Sequence, residues 1–362
     1  MRVSKTPEEG SIPSTPAKVA TKKVALLLRG LMKERVLTGI KPTGYAHLGN
    51  YFGAIKPAIE MSKDEGIDCL YFIADYHALT TVKTREEMEE YTYNIACTWL
   101  ACGLDPSKVI FYKQSDIPED LELGWILCNL TPKGLMNRAH AYKACVEKNE
   151  AAGFDRDAGV NMGLYNYPVL MAADILLFNS KRIPVGLDQT QHVEIARDIA
   201  IYFNNRYGNI FMLPESFVEK ETSILVGLDG RKMSKSYGNT IQLFTDEKTL
   251  QKSVNRIVTD SRLPGEAKDT DNTICKLYRL FATPDEVQDF ERRMLEGLGW
   301  GDAKKELFAK MNQTISPMRE KFDYYQSHRD AVDAILEEGA KKARAIATPM
   351  LAKIKKAIGV TR

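Results

Sequence analysis

The sequence predicts an α/β protein in which a parallel sheet flanked by helices is followed by an all-helical region. Three observations support this. Short β-rich apolar runs alternate with long helical patterns from residue 36 to about residue 203. Strand signals fade after about residue 243, and the rest of the chain has helical patterns. The chain has 362 residues, 44% of them hydrophobic, which is enough for one large core and one smaller core. The alternation places helices on both faces of a parallel sheet.

The predicted strands are short runs rich in branched and aromatic residues, at 36–40, 69–74, 109–112 and 182–185, and a helix is predicted at 189–203. Ligands of parallel sheets bind at the carboxyl ends of the strands. The residues just after Ile40, Ala74 and Tyr112 are therefore the first place to look for a functional site. We find no internal repeat at a fixed period, which argues against a solenoid.

The first 31 residues combine prolines with Ser, Thr and Lys, a composition too polar to pack, and we expect a disordered extension. The apolar run at 24–28 is too short for a signal peptide or a membrane span, so neither secretion nor a membrane partner is expected. A transit peptide, or an extension upstream of a start at Met32, remains open. Glu8 and Glu9 argue against the transit peptide.

The net charge of +2 excludes a uniformly basic protein that coats nucleic acid, and DNA is not an expected partner. The six cysteines form no Cys-x-x-Cys pair and lie in apolar surroundings. This pattern is typical of free thiols in a reducing compartment. We expect a cytoplasmic protein with no metal site of its own.

A compact phosphate-binding motif is predicted at Lys232-Met233-Ser234-Lys235-Ser236, in a loop that follows Gly227 and Gly230. Two lysines and two hydroxyls within five residues suit a polyphosphate whose charge shifts during a reaction. A solvated, lysine-rich surface turn is the alternative for such a run.

A second candidate begins after the first predicted strand, where Gly44, His47, Gly49 and Asn50 open a helical pattern. The glycines permit close approach of the backbone, and a helix N-terminus favours an anion. The segment is therefore a candidate triphosphate site. An ordinary strand-to-helix turn with a capping histidine is the alternative, but a second phosphate motif in the same chain argues against it.

The His-x-Gly-Asn helix start and the Lys-Met-Ser-Lys-Ser loop, in this order, resemble the paired signatures of class I aminoacyl-tRNA synthetases. Four further segments look like the tryptophanyl-tRNA synthetase family: Gly39-Ile40-Lys41-Pro42-Thr43-Gly44, Tyr167 to Leu176, Pro184-Val185-Gly186-Leu187-Asp188-Gln189 with His192, and Val258-Thr259-Asp260-Ser261. The related tyrosyl enzymes often carry Gln where Ala172 stands and lack the Thr-Asp-Ser segment. Tyrosine therefore remains the second candidate substrate.

The resemblance implies a Rossmann-like catalytic domain at 32–243, a helical tRNA anticodon-binding domain at 244–345 and a basic C-terminal helix at 346–362, after the extension at 1–31. Breaks between helices are expected at Pro264, Pro284, Gly297, Gly299 and Gly339. The implied reaction activates L-tryptophan with ATP and Mg²⁺ and transfers it to tRNA. The family resemblance also implies a homodimer.

For ATP, the resemblance implies two groups of residues. The catalytic group is His47, Asn50, Lys232 and Lys235. The ATP-binding group is Lys41, Pro42, Thr43, Gly49, Asn50, Gly186, Leu187, Asp188, Ile224, Lys232, Met233, Ser234, Lys235 and Ser236. Many relatives have Gln at the position of Lys41, and the sequence leaves open whether this lysine reaches the phosphates or points to solvent.

For tryptophan, Asp174 is the main candidate. It is the only acid between Asp157 and Asp188 and lies in an apolar helical run, where a carboxylate must find a donor. The indole N–H is a donor without acceptor capacity, so a buried carboxylate can distinguish tryptophan from phenylalanine. A salt bridge to a core arginine is the alternative.

Other residues are assigned to the same pocket. Met171 lies one turn before Asp174 on the same helix face and would line an adaptable aromatic pocket. The resemblance implies that Tyr167 and Gln189 lie near the ammonium and carboxylate groups, and that Leu37, His77 and Val185 surround the ring.

Two further classes of function are considered. A nucleotidyltransferase acting on another small molecule shares the ATP chemistry but has little use for the long helical region. A catalytically silent, synthetase-like RNA-binding protein would be expected to lose phosphate residues, whereas both loop lysines and His47 are present.

Overall fold

The computed structural model describes residues 33–218 and 225–361. Its centre is a parallel sheet of five strands in the order β3-β2-β1-β4-β5. The strands are β1 (Glu34–Ile40), β2 (Ile67–Ile73), β3 (Ile110–Lys113), β4 (Arg182–Pro184) and β5 (Glu215–Phe217). The predicted α/β class is confirmed. The extension predicted at 1–31 lies outside the described residues.

The helices fall into two groups. Within the α/β region they are α1 (Leu48–Asn50), which continues through a π-helical turn (Tyr51–Ile55) into α2 (Lys56–Met61), α3 (Asp75–Ala78), α4 (Arg85–Ala101), α5 (Pro118–Cys128), α6 (Lys133–Met136), α7 (His140–Ala151), α8 (Met162–Leu177) and α9 (Thr190–Tyr207). The second group is α10 (Glu247–Asn255), α11 (Thr273–Tyr278), α12 (Pro284–Leu295), α13 (Trp300–Ser327) and α14 (Arg329–Ile358).

The strand predictions are correct in place and differ by one or two residues at their ends. β1 and β2 pair in parallel along their whole length, from Glu34 with Ile67 to Ile40 with Ile73. The middle of β2 is fully buried, as expected for a central strand of a parallel sheet. The sequence analysis missed β5, because this three-residue edge strand has two exposed residues and no apolar run.

Apolar side chains pack on both faces of the sheet. One core joins the sheet and α4 to α10, α11, α12 and α13, and its most buried members include Trp99, Leu250 and Met311. The other joins the sheet to α5, α8, α9 and the end of α14. The helical region therefore shares a continuous core with the α/β region.

The terminal helix α14 returns to the sheet and packs against β3. The break predicted at Gly339 is wrong, since this glycine lies inside α14. A β-carbon at Gly339 would stand 1.7 Å from the carbonyl oxygen of Phe111, so glycine permits close approach of the helix to the strand. The boundary predicted between residues 345 and 346 falls within the same continuous helix. The division into domains stays a prediction.

Across residues 33–218 and 225–361, no helix combines the length and apolar character needed to cross a membrane.

Candidate active site

A cavity of about 580 Å³ opens at the carboxyl ends of the strands, where a parallel sheet places its ligands. It lies among the ends of β1, β4 and β5, the turn after β2, helix α2 and helix α8. The seven residues predicted to bind tryptophan all line it: Leu37, His77, Tyr167, Met171, Asp174, Val185 and Gln189. Sequence segments as far apart as residues 37 and 189 therefore meet in one pocket.

Asp174 lies on α8 and is only 4% exposed. Its Oδ2 is 2.9 Å from Nε2 of His77, and its Oδ1 accepts a hydrogen bond of 2.8 Å from Nε2 of Gln114. Its partners are thus an imidazole and an amide. Among the described residues, Asp174 forms no salt bridge with an arginine, so that alternative is wrong.

Two residues beside Asp174 were missed by the sequence analysis. Gln114 is buried, and its amide nitrogen also lies 3.4 Å from Oδ2 of Asp120, which is buried on the first turn of α5. Gln114 follows β3 directly, so its place was signalled by the rule that ligands bind after strand ends. No sequence pattern singles out Asp120, because it stands among other acids at the start of a helix.

Burial controls the ionisation of this cluster. Burial raises the pKa of Asp174 to about 7 and raises the pKa of Asp120 well above its usual range. Burial also lowers the pKa of His77 to about 4. At neutral pH, His77 is therefore neutral and donates from Nε2 to the Asp174 carboxylate.

Tyr167 has a buried partner of its own. Its hydroxyl lies 2.7 Å from Nε2 of His192, a residue in the first turn of α9. Burial lowers the pKa of His192 to about 4, so this histidine is neutral. The contact fixes the Tyr167 ring against the cavity.

Lys41 points into the cavity and not to solvent. Its Nζ donates a hydrogen bond of 2.7 Å to Oγ1 of Thr80, which in turn donates to the carbonyl oxygen of His77. Burial lowers the pKa of Lys41. The lysine lies where it can meet an anionic group of a ligand beside His77.

The His-x-Gly-Asn segment forms the N-terminus of α1. His47 is the N-cap residue, and its backbone N–H donates to Oδ1 of Asn50 at 3.0 Å. Burial, and then the charge of Lys235, lower the pKa of His47 to about 4. A β-carbon at Gly49 would stand 2.8 Å from the His47 ring, so the glycine leaves room for the ring in this position.

The two predicted phosphate motifs lie next to each other. Backbone bonds from Leu48 N–H to the Ile241 carbonyl (2.9 Å) and from Leu243 N–H to the Ala46 carbonyl (3.0 Å) join the start of α1 to the segment after the loop. Nζ of Lys235 donates to the carbonyl oxygen of Thr43 at 2.9 Å. The loop is therefore closed over the first strand-to-helix turn.

Asn239 holds the loop in shape and was not predicted as a site residue. Its Oδ1 accepts from the Ser234 N–H at 2.9 Å, and its Nδ2 donates to Asp229 and to the carbonyl oxygen of Lys232. This side chain is buried, whereas most of the loop is exposed. Asn239 stands three positions after Ser236, the last residue of the motif, and this proximity is the signal that could have found it.

The remaining residues predicted to bind ATP have fewer contacts that relate them to the cavity or the loop. Gly186 lines the cavity, and Asp188 accepts a hydrogen bond from Gln189. Leu187 is exposed, the hydroxyls of Ser234 and Ser236 bond to each other, and Met233 is buried. Pro42 and Thr43 connect Lys41 in the cavity to the contact with Lys235. Ile224 lies outside the described residues.

Within the described ranges, no group of three or more His, Cys, Asp or Glu side chains is arranged to hold a metal ion.

Comparison with known proteins assigns the family. The family described as "tRNA synthetases class I (W and Y)" matches residues 32–316. The tryptophan–tRNA ligase of Pseudomonas putida is 53% identical over 333 residues, which cover 91% of this chain and 74% of that protein. The tryptophan–tRNA ligase of Neisseria meningitidis is 50% identical over 332 residues, covering 91% of this chain and 99% of that protein.

The fold agrees with the sequence match. The crystal structure of tryptophanyl-tRNA synthetase from Campylobacter jejuni, complexed with ADP and tryptophan, superposes with a TM-score of 0.83 at 44% identity. That match covers 90% of this chain and 99% of the other. The chain therefore belongs to the class I tRNA synthetases of the tryptophan and tyrosine family.

Proposed function

We propose that this protein is a tryptophan–tRNA ligase. It activates L-tryptophan with ATP, giving tryptophanyl-adenylate and pyrophosphate, and then transfers tryptophan to the 3′-terminal ribose of its tRNA. The observation that carries the proposal is the buried Asp174 carboxylate, which lines a cavity next to two joined phosphate motifs. The two relatives that are 53% and 50% identical to this chain over the aligned residues are both named tryptophan–tRNA ligase. This favours tryptophan over tyrosine as the substrate.

Asp174 is suited to reading the indole N–H. A carboxylate has about four lone-pair sites, and His77 and Gln114 each use one of them. Oxygen lone pairs therefore remain for a donor in the cavity. Phenylalanine has no such donor and would leave this buried charge without its ligand partner. Leu37, Met171 and Val185 supply apolar surface for the ring, and Tyr167 and Gln189 are proposed to hold the ammonium and carboxylate groups.

The activation step requires positioning more than proton transfer. The tryptophan carboxylate is already ionised, so it attacks the α-phosphorus directly and pyrophosphate leaves with the bonding electrons. Lys41 lines the cavity, and Lys235 reaches the adjoining segment Pro42-Thr43 from the loop. We propose that they meet the phosphates from these two directions, with Lys232, Ser234 and Ser236 following the charge of the leaving group.

His47 acts as a neutral group in this proposal. Because burial lowers its pKa to about 4, it meets a phosphate oxygen as a hydrogen-bond donor and not as a cation. Asn50 fixes the backbone of His47. ATP is proposed to enter as its Mg²⁺ complex, with the metal held by phosphate oxygens, as suits a cation that prefers oxygen ligands.

The tRNA is proposed to bind the helical region at 244–345, with basic residues of α14 contributing. Some of those residues already have partners, such as Arg344 with Glu119 and Lys355 with Glu122. The homodimer is proposed from the family resemblance. A cytoplasmic location is proposed because the six cysteines are free thiols.

The test combines two assays on the purified protein. ATP–pyrophosphate exchange is measured without tRNA, with tryptophan and tyrosine in separate reactions, followed by charging of tRNA with the amino acid that supports exchange. We expect exchange and charging with tryptophan. Exchange with tyrosine alone would reassign the substrate, and no exchange with either would contradict the proposal and favour a silent RNA-binding protein or another nucleotidyl acceptor.

A further inference from the structure

A second buried acid lies beside Asp174, the residue proposed to bind the indole N–H, and has no role in the proposed function. Asp120 is the third residue of α5 and is only 2% exposed. Its Oδ2 is 3.4 Å from Nε2 of Gln114, the same nitrogen that donates to Asp174 at 2.8 Å. Its Oδ1 is buried without a donor among the described residues. An isolated ionised carboxylate in this place would be very costly.

Two buried carboxyl groups that share one site cannot both ionise, and the site holds one charge. Asp174 has two close donors, His77 and Gln114, whereas Asp120 has a single long contact. The charge is therefore more stable on Asp174 and the proton on Asp120. Asp120 and Asp174 contact the same amide nitrogen of Gln114, so a protonated Asp120 stands beside the Asp174 carboxylate as a donor.

The other charged groups around Asp120 do not change this conclusion. The titratable groups that face it are Asp174 from α8, Tyr76 and His77 from α3, and Tyr112 from β3, while Asp75 and Lys41 act on His77. From α14, Arg344 and Lys355 reach α5, but they pair with Glu119 and Glu122. Asp120 is left with no direct cation partner among the described residues.

We propose that Asp120 is a positioning residue for tryptophan recognition: its neutral carboxyl group donates to Asp174 and orients the Gln114 amide, which keeps the single charge of the pair on Asp174. This inference rests on the proposed function. It assigns to the first turn of α5 a part in substrate selection, although Asp120 itself does not line the cavity.

The test compares three variants. Asp120→Asn keeps a neutral donor and acceptor, Asp120→Leu removes both, and Glu122→Gln is the matched control, since Glu122 is a half-exposed acid on the same helix. For each, kcat and KM for tryptophan and for ATP are measured by ATP–pyrophosphate exchange from about pH 5 to about pH 9, and tryptophan binding is measured by equilibrium dialysis.

We expect Asp120→Leu to raise the KM and Kd for tryptophan at least about tenfold, with kcat and the KM for ATP nearly unchanged. Without the donated hydrogen bond, Asp174 holds its proton more tightly, so the acid limb of kcat/KM for tryptophan moves to higher pH. Asp120→Asn is expected to stay within about threefold of wild type with the acid limb in place, because its amide replaces the donor.

Each other outcome overturns the inference. If Asp120→Leu lowers kcat and weakens both substrates with an unmoved acid limb, Asp120 supports the fold only. If Asp120→Leu does not fold, Asp120→Asn decides: an acid limb that moves to lower pH would mean that wild-type Asp120 is charged. Failure of the proposed function appears separately, as a wild-type protein that neither exchanges nor binds tryptophan.

Discussion

Asp174 is a carboxylate in a mostly apolar helix, and its neighbours explain why it can stay there. Burial opposes its ionisation, while His77 and Gln114 donate to its two oxygens. The result is a charge that is stabilised but still available to a donor in the cavity. An indole N–H fits this requirement, and the benzyl group of phenylalanine does not.

This chemistry predicts a pH dependence at the level of one residue. Burial raises the pKa of Asp174 to about 7, so its charge is lost as the pH falls through that region. We expect kcat/KM for tryptophan in ATP–pyrophosphate exchange to decrease on the acid side of about pH 7, whereas an ordinary exposed aspartate would lose its charge near pH 4. A profile that stays flat down to about pH 5 would contradict the role of the Asp174 charge.

Residues with a distinctive sequence environment could be predicted, and residues defined by long-range contacts could not. Asp174 is conspicuous as a lone acid in an apolar run, and Lys235 as part of a dense cluster of donors. Asp120 reaches Asp174 from 54 positions away, and the role of Asn239 depends on how the loop bends back on it. Spacing along the chain does not encode such contacts.

At the scale of elements, the terminal helix α14 fixes the helical region to the sheet. It crosses β3 at Gly339 and is tied to α5 by Arg344 and Thr348, which both donate to Glu119. Glu119 precedes Asp120, so one turn of α5 contacts α14 on one side and the proposed tryptophan site on the other. The docking of α14 therefore helps to place that turn.

Gly339→Ala tests this docking. In an exposed helix, replacing glycine by alanine stabilises by about 0.5–1 kcal/mol. At Gly339, the new β-carbon would meet the Phe111 carbonyl at 1.7 Å, and overpacking of this kind costs about 1–3 kcal/mol or more. We expect a net loss of stability, measured as a Tm lower by about 1–2 °C for each kcal/mol lost in a chain of 362 residues.

Gly301→Ala is the matched control, because Gly301 also lies in a long helix but has no atom within 4 Å of its added β-carbon. Its Tm should be unchanged or slightly higher. Equal Tm values for the two variants would mean that α14 does not pack closely on β3 as described.

Elements with strong patterns were predictable, and elements set by tertiary contact were not. The central strands are apolar runs bounded by turns, so they were found with ends correct to one or two residues. The edge strand β5 has no such run, and its pairing with β4 defines it. On helix propensity alone, Gly339 indicates the end of a helix. In the structure the helix continues through Gly339, and the glycine is explained by close packing against β3, which leaves no space for a side chain.

In the whole molecule, the sites proposed for substrate recognition and for phosphate chemistry lie at one edge of one sheet. The cavity proposed to bind tryptophan, the start of α1 and the Lys-Met-Ser-Lys-Ser loop are linked through Lys41, Thr43 and Lys235. The core on one face of the sheet continues into α10 to α13. The loop therefore adjoins the proposed activation site through Lys235 and the helical region through this core, of which Met233 is a member.

The most direct test of the central claim is the effect of Asp174→Asn on ATP–pyrophosphate exchange with tryptophan, with Glu122→Gln as the control. Hydrogen bonds to charged groups contribute about 1.5–3 kcal/mol, so kcat/KM for tryptophan should fall about 10- to 150-fold while the KM for ATP stays within about threefold of wild type. If Asp174→Asn retained the wild-type kcat/KM for tryptophan, Asp174 would not be the reader of the indole group and the account of the site would be wrong.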